Sequence, residues 1–165
     1  MKEGSRTIFA ILAFLAAAWS APVAVLAAGD PSSSESAQTW ASDPAIDAFG
    51  VFTAKKDWAG AAAHIKAALD KAPGNADYHN LYAYALRKGA RPDMKLVFRH
   101  YQEALRIDPK HRGAHEYIGE AWLMSGNLAK AKEHLAALDR LCRLGCEEYS
   151  TLKKAVAEYE RSGRR

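Results

Sequence analysis

Apolar residues recur with a helical period from residue 44 to residue 161. They stand three or four positions apart, which places them on one face of an amphipathic helix. Glycine and proline interrupt the pattern at short intervals, so it predicts several short helices rather than one long helix. The first has a favourable start, because Asp43 can cap it and Pro44 suits the first helical position. The expected helices are 44–54, 57–71, 76–88, 93–107, 111–124, 127–140 and 147–161.

The last predicted helix has a single apolar face. Tyr149, Leu152, Val156 and Tyr159 are spaced three, four and three residues apart, and most other positions are charged. A helix of this kind can cover the apolar side of the element before it. We therefore expect residues 146–161 to form a capping helix and residues 162–165 to be a frayed tail.

The middle of the chain repeats itself. Residues 67–75 (AALDKAPGN) are similar to residues 103–111 (EALRIDPKH), and Pro73 and Pro109 are 36 residues apart. Each proline is followed by a helical pattern, a glycine and a second helical pattern. A fixed period of this length is typical of helix pairs that cannot bury their apolar faces alone and stack on one another.

These units resemble the tetratricopeptide repeat (TPR), a helix–turn–helix unit of about 34 residues. With Pro73 and Pro109 at the family's proline, position 32, the packing residues of both helices fall in register. Small residues at positions 8 and 20 let the two helices of a pair approach closely, and larger residues at position 24 fill the gap between pairs; position 27 is in register as well. These positions hold Ala83 and Gly119 (8), Ala61, Val97 and Ala131 (20), Ile65, Tyr101 and Leu135 (24), and Ala68, Ala104 and Leu138 (27).

The resemblance implies an all-α fold, a right-handed superhelical stack of antiparallel helix pairs (a TPR solenoid) with a C-terminal capping helix. Within a domain of residues 43–161, the repeats would occupy about 43–75, 76–111 and 112–145, followed by the cap 146–161. The chain departs from the family in two places. The second unit has two extra residues, which fall in the segment 89–93, and Lys56 stands where the family has a turn glycine.

The first 28 residues have the layout of a secretory signal peptide. Lys2 and Arg6 precede an apolar run that ends in small residues, so we expect cleavage after Ala27 or Ala28. Residues 29–42 are rich in serine, which is typical of a flexible linker. We expect a periplasmic or secreted protein with no stable membrane insertion after cleavage. The alternative is an uncleaved N-terminal anchor that holds the chain facing the periplasm.

Composition and charge narrow the functional class. The chain has 165 residues, 49% of them apolar and 25% charged, which is the balance of a folded domain. Its net charge of +4 falls to about +3 without the signal peptide, and so small an excess gives no reason to expect a nucleic-acid partner. No Ser/His/Asp order, phosphate-binding glycine loop or HExxH motif is present, so we expect no enzymatic activity, no catalytic residue and no cofactor.

The only two cysteines, Cys142 and Cys146, are four residues apart with Gly145 between them. In an oxidising compartment we expect them to form a disulfide that joins the last repeat to the cap. Gly145 can break the helix so that the two sulfurs meet. The alternative is a thiol-redox or metal-handling protein that uses this pair, although redox pairs are normally spaced C-x2-C at the start of a helix.

The histidines form a second candidate cluster. His111 and His115 are four residues apart and would share a helix face, but no third ligand has a matching spacing, so we expect no metal site. His64, His100 and His134 all fall at position 23 of the repeat. This regularity predicts a shared slot on the second helices that faces solvent.

The TPR resemblance also implies a groove along the first helix of each pair, at positions 2, 5, 9, 12 and 13. An asparagine there can bond a peptide backbone, and an arginine can hold a carboxylate bidentately, although the family's carboxylate-clamp pattern is only partly present. We expect a non-enzymatic adaptor or assembly factor for a protein or peptide partner; weak self-association through the ends of the stack is an alternative. The groove positions are Asp77, Asn80, Tyr84, Arg87 and Lys88, and then Gly113, Glu116, Glu120, Leu123 and Met124.

Overall fold

A computed structural model describes residues 43–163 of the chain. The expected signal peptide, the expected linker and the last two residues lie outside the described residues. The seven predicted helices are confirmed, and each begins and ends within one residue of its expected position. No helix in this region has the length and apolarity needed to cross a membrane. The helices are α1 (Pro44–Ala54), α2 (Trp58–Lys71), α3 (Ala76–Lys88), α4 (Met94–Ile107), α5 (Arg112–Met124), α6 (Leu128–Leu141) and α7 (Glu147–Arg161).

The one-residue shifts at the helix starts are due to N-caps. The sequence places four starts at Asp57, Asp93, His111 and Asn127, and the structure makes each of them the N-cap of its helix. Each side chain accepts a hydrogen bond from a backbone N–H in the first turn, as Asp57 does from Gly60 at 2.8 Å. An N-cap residue has non-helical backbone angles, so the helix itself begins one residue later.

The seven antiparallel helices pack in chain order as three pairs and a cap. The pairs are α1 with α2, α3 with α4 and α5 with α6, and each pair contacts the next. The first helices also lie side by side, because α3 contacts α5 and α5 contacts α7. α7 thus takes the place that the first helix of a fourth pair would occupy.

Small residues allow these close contacts. Ala61, Ala83, Val97 and Ala131 are fully buried at their predicted packing positions. Gly119 makes room for the cap, because a Cβ atom there would lie only 2.6 Å from Cδ2 of the fully buried Leu152. α7 seals the stack at this point, and its apolar face completes a core cluster of Leu123, Ala131, Leu138, Leu152 and Val156.

The predicted disulfide is present. Cys142 at the C-cap of α6 is bonded to Cys146 at the N-cap of α7, with an S–S distance of 2.05 Å. Gly145 has a φ of +87°, a left-handed conformation that glycine adopts without steric cost. The bond therefore fixes the turn between the third pair and the capping helix.

Lys56 adopts the conformation for which the family uses glycine. Its φ is 57°, and Gly126, at the same repeat position of the third pair, has a φ of 78°. The second pair instead uses the five-residue connection between α3 and α4, where the two extra residues were expected. A residue with a Cβ atom is strained in the left-handed region.

Replacing Lys56 with glycine is therefore expected to stabilise the protein. We expect Lys56→Gly to raise the free energy of unfolding by about 1 kcal/mol, since relief of strain exceeds the entropy that glycine adds to the unfolded chain. Urea unfolding measures the change. Lys55→Gly is the matched control, because Lys55 has a right-handed φ of −85° and its replacement should destabilise. Equal effects of both changes would show that strain at Lys56 is not the cause.

Candidate functional site

The groove is the surface on which the first-helix positions of α3 and α5 face each other. Asn75 caps α3 and His111 caps α5, so the two helices start at equivalent repeat positions. Contact between the helices then brings equivalent side chains together. The groove consists of Asp77, Asn80, Tyr84, Arg87 and Lys88 of α3 and Gly113, Glu116, Glu120 and Met124 of α5.

Arg87 is the buried centre of the groove, with 7% of its surface exposed. Its Nη2 donates to Glu120 Oε2 at 2.7 Å, and its Nε donates to the hydroxyl of Tyr101 at 3.2 Å. The guanidinium carbon lies 5.5 Å and 5.7 Å from the ring centroids of Tyr84 and Tyr117. Arg87 thus ties α3, α4 and α5 together, and Glu120 supplies from within the chain a carboxylate that an arginine at this position can hold.

The α3 edge of the groove carries charges that are also engaged. Asp77 Oδ1 lies 3.1 Å from His111 Nε2, and the neighbouring imidazole lowers the pKa of Asp77. The Nζ atom of Lys88 lies 5.6 Å from the ring centroid of Trp58, on α2. These contacts connect the groove to the elements on either side of it.

At the C-terminal end of α5, two adjacent candidates have different environments. Leu123 belongs to the core cluster that α7 covers and is 9% exposed, so we assign it to the core rather than to the groove surface. Met124 is 57% exposed, and its Sδ accepts from Arg87 Nη1 at 3.7 Å. Met124 is therefore the apolar end of the open groove.

A pocket of about 270 Å³ opens where α3, α5 and α7 meet. Gly113 lets α5 lie close to Asn80 in the pocket wall, because a Cβ atom at this position would lie 3.3 Å from Asn80 Nδ2. Asn80 is 4% exposed, and its Oδ1 accepts no hydrogen bond within the described part of the chain. Such a buried, unpaired acceptor is uncommon in folded proteins. The pocket, which we call the acidic pocket, is lined by Asn80, Leu81, Gly113, Glu116, Tyr117, Glu147 and Glu148.

Glu116 has the most perturbed carboxyl group of the acidic pocket. Its pKa is raised to about 7, first by burial and then by the negative charges of Glu120, Glu148 and Glu147, with Arg87 acting in the opposite direction. Only 9% of the residue is exposed. Glu116 therefore gains or loses its proton near neutral pH. A ligand in the pocket could favour either the charged or the neutral form of its carboxyl group.

Four residues of the acidic pocket were not predicted from the sequence, namely Leu81, Tyr117, Glu147 and Glu148. α7 acts as a first helix, and Glu147 falls at position 2 when the repeat register is continued into the cap, as Asp77 and Gly113 do in their units. Extending the register in this way would have identified Glu147. Tyr117 falls at position 6, outside the groove positions of the family, so the register gives no signal for it.

The expected solvent-facing slot of histidines is wrong, because position 23 of each second helix faces position 4 of the first helix in the same pair. In the second and third pairs both positions are histidine, and their Nδ1 atoms lie 2.9 Å and 3.0 Å apart. In the first pair position 4 is Ala45, whose backbone oxygen lies 3.0 Å from His64 Nε2. The two pairs are His79 with His100 and His115 with His134; His79 is buried and the other three rings are partly buried.

His111 and His115 do not converge on one point. His111 Nδ1 accepts from the backbone N–H of Ala114 as the N-cap of α5, whereas His115 turns toward His134. Among residues 43–163, the one group of three potential metal ligands that lie close together is Cys142, Cys146 and Glu148. Because the two sulfurs are joined in a disulfide, neither is the thiolate that binds metals.

No protein-family model matches the sequence, and no curated protein matches it. Among solved structures, the chain is similar to the TPR2B domain of yeast Sti1, in the structure of its complex with pHsp70. The TM-score is 0.62 at 20% sequence identity, and the match covers 72% of this chain and 94% of that chain. An identity this low establishes the fold and not the function. The described residues therefore form an all-α helical repeat domain with a TPR-like fold.

Proposed function

We propose that this protein is a non-enzymatic interaction module that binds a peptide or protein segment in the groove of α3 and α5. The observation that carries the proposal is the convergence of Asn80, Glu116 and Tyr117 from both helices around an open pocket, with the Tyr84 ring packed against Tyr117 beside it. Such a surface offers a hydrogen-bonding amide, aromatic faces and a charge to an extended ligand. The complex of the Sti1 TPR2B domain with pHsp70 supports protein binding on this fold.

The proposed place of action is the periplasm or the outside of the cell, where the chain serves as an adaptor or assembly factor. The signal-peptide pattern of residues 1–28 supports export. The disulfide between Cys142 and Cys146 supports an oxidising compartment, because such bonds rarely persist in the cytosol.

Selection from a random peptide display library tests the proposed function. The target is the chain exported into a bacterial periplasm, and isothermal titration measures the affinity of the selected peptides. We expect Tyr84→Ala and Met124→Ala to weaken binding about tenfold, because each removes an apolar contact surface from the groove. Circular dichroism checks that both variants keep the helical content of the parent.

Lys95→Ala is the control, since Lys95 is exposed on α4, a second helix outside the groove. It should bind the selected peptides as tightly as the parent chain. If no peptide is selected, or if the selected peptides bind Tyr84→Ala and Met124→Ala as tightly as the parent, the groove is not a binding site for peptides.

A further inference from the structure

We propose that the acidic pocket is a specificity pocket for one arginine side chain of the bound segment. This inference rests on the proposed function and adds the chemistry of the residue that the groove selects. The pocket has the volume of a side-chain site, about 270 Å³, and opens between three helices. Its polar lining consists of the carboxylates of Glu116, Glu147 and Glu148 together with the side chains of Asn80 and Tyr117.

Asn80 gives the first reason to expect a donor in this pocket. Its side chain is almost wholly buried, and its Oδ1 has no hydrogen-bond donor among residues 43–163. A buried acceptor that is left unpaired destabilises the fold. Oδ1 itself is closed to solvent, so a ligand N–H would pair with it once the Asn80 side chain turns toward the pocket, which favours a ligand rich in donors.

Glu116 gives the second reason. Glu147 and Glu148 have a structural explanation, because they occupy the first turn of α7, where the helix dipole favours negative charge and Cys146 makes no capping bond. Glu116 lies in the middle of α5 and has no cation within ion-pair distance in the described region. The nearby Arg87 is already paired with Glu120. A buried carboxylate without a partner is costly, and a cationic ligand would supply the missing charge.

The pocket as a whole has an excess of negative charge. Arg112 is the only described cation that contacts its lining carboxylates, and Arg112 Nε lies 3.5 Å from Glu148 Oε1 with both side chains partly exposed. An exposed pair of this kind contributes little free energy. The pocket therefore favours a basic ligand, the opposite of the carboxylate ligand that the sequence suggested for Arg87.

The spacing of the carboxylates distinguishes a guanidinium from a metal ion. The ligand atoms of one metal ion lie within about 4.8 Å of one another. In the described part of the chain, the carboxylate oxygens of Glu116, Glu147 and Glu148 do not meet this condition as a group of three. A guanidinium presents five N–H donors in a planar fork and can reach separated acceptors, whereas an ammonium group is a compact point charge. Tyr117 in the pocket wall adds an aromatic surface on which a guanidinium can stack.

Capped pentapeptides test the inference by NMR titration of the exported, isotope-labelled chain. The probe is acetyl-Ala-Ala-Arg-Ala-Ala-amide, compared with the same peptide carrying citrulline, which has the shape of arginine without its charge, or lysine. We expect the arginine peptide to shift the side-chain amide of Asn80 and the backbone amides of Gly113 and Glu147. The citrulline and lysine peptides should bind about tenfold more weakly, because charge-assisted and bidentate bonds are lost.

Glu116→Gln keeps the shape of the residue and removes its charge, so it should weaken binding of the arginine peptide about tenfold. Glu133→Gln, on the exposed surface of α6, is the matched control and should leave binding unchanged. The affinity of the parent should rise between about pH 6 and pH 8 as Glu116 ionises, and this rise should be absent in Glu116→Gln. The charges that face Glu116 are those of Arg87 on α3, Glu120 on α5, and Glu147 and Glu148 on α7.

Equal affinities for the arginine, citrulline and lysine peptides would overturn the arginine pocket, as would shifts that avoid Asn80. Peptides selected by display would still bind the groove in that case, so the proposed function would stand. If neither the selected peptides nor the arginine peptide binds, both proposals fail.

Discussion

Lowering the pH from about 7 to about 4 is expected to reduce the free energy of unfolding by about 3 kcal/mol through the two histidine pairs. Burial and the neighbouring histidine lower the pKa of His100 from 6.5 to about 4 and that of His134 to the same value. The folded state therefore favours the uncharged rings. The stability that they contribute is complete above pH 6.5 and is lost as the pH falls to about 4.

The hydrogen bonds of each pair, in addition to burial, oppose protonation of both rings together. His79 Nε2 lies 3.0 Å from the carbonyl oxygen of Pro73, which can only accept, so Nε2 carries the proton. His79 Nδ1 must then accept from His100 Nδ1. Full protonation would make two N–H groups face each other at 2.9 Å. The second pair has the same geometry, because His115 Nε2 lies 3.1 Å from the carbonyl oxygen of Pro109.

The full shifts of the two pKa values would correspond to a loss of about 7 kcal/mol in the free energy of unfolding. The His100 and His134 rings are only half-buried, so water screens part of this effect. Urea unfolding between pH 4 and pH 7 of the parent and of the double variant His100→Gln with His134→Gln measures the loss as the difference between their pH dependences. The double variant should lose this destabilisation on acidification and keep only the opposite dependence that Glu116 contributes. His64→Gln is the control at the same repeat position without a histidine partner, and it should keep the pH dependence of the parent. A double variant with the slope of the parent would contradict the explanation.

The helices could be predicted from the sequence because their signals are local. Caps such as Asp57 and Asn127, the left-handed position of Lys56 and the prolines after the second helices all act within one turn of the chain. The repeat register then placed Asn80 and Glu116 in the groove, since side chains at equivalent positions of neighbouring repeats share a face.

The chemistry of the site could not be predicted in the same way, because it depends on which side chains meet across helices. Arg87 and Glu120 are 33 residues apart, and only the packing of α3 against α5 shows that they neutralise each other. The histidine at position 23 could not be assigned without knowing that position 4 faces it. Likewise, the acidic pocket exists because α7 packs beside α5 as a further first helix.

Glu116→Gln is expected to raise the free energy of unfolding by about 2 kcal/mol at pH 8 and to leave it almost unchanged at pH 4. Burial, followed by the neighbouring carboxylates, raises the pKa of Glu116 from 4.5 to about 7. The folded state thus favours the protonated acid, and stability is lost as the pH rises through this interval. Glutamine resembles the protonated acid and does not ionise. The full shift corresponds to about 3 kcal/mol, which solvent at the open side of the pocket reduces.

Glu120→Gln is the matched control, since Glu120 lies one turn further along α5 and is paired with the buried Arg87. It should destabilise the protein, because the guanidinium would lose its anion inside the groove. Replacement of the two carboxylates on the same helix is thus expected to change the free energy of unfolding in opposite directions.

The histidine pairs and Glu116 have opposite effects on stability between about pH 4.5 and pH 6.5, so Glu116→Gln should make the loss of stability on acidification steeper. If Glu116→Gln instead destabilised the chain at pH 8, the carboxylate would have a partner in the free protein, and the acidic pocket would have no unmet charge for an arginine to satisfy.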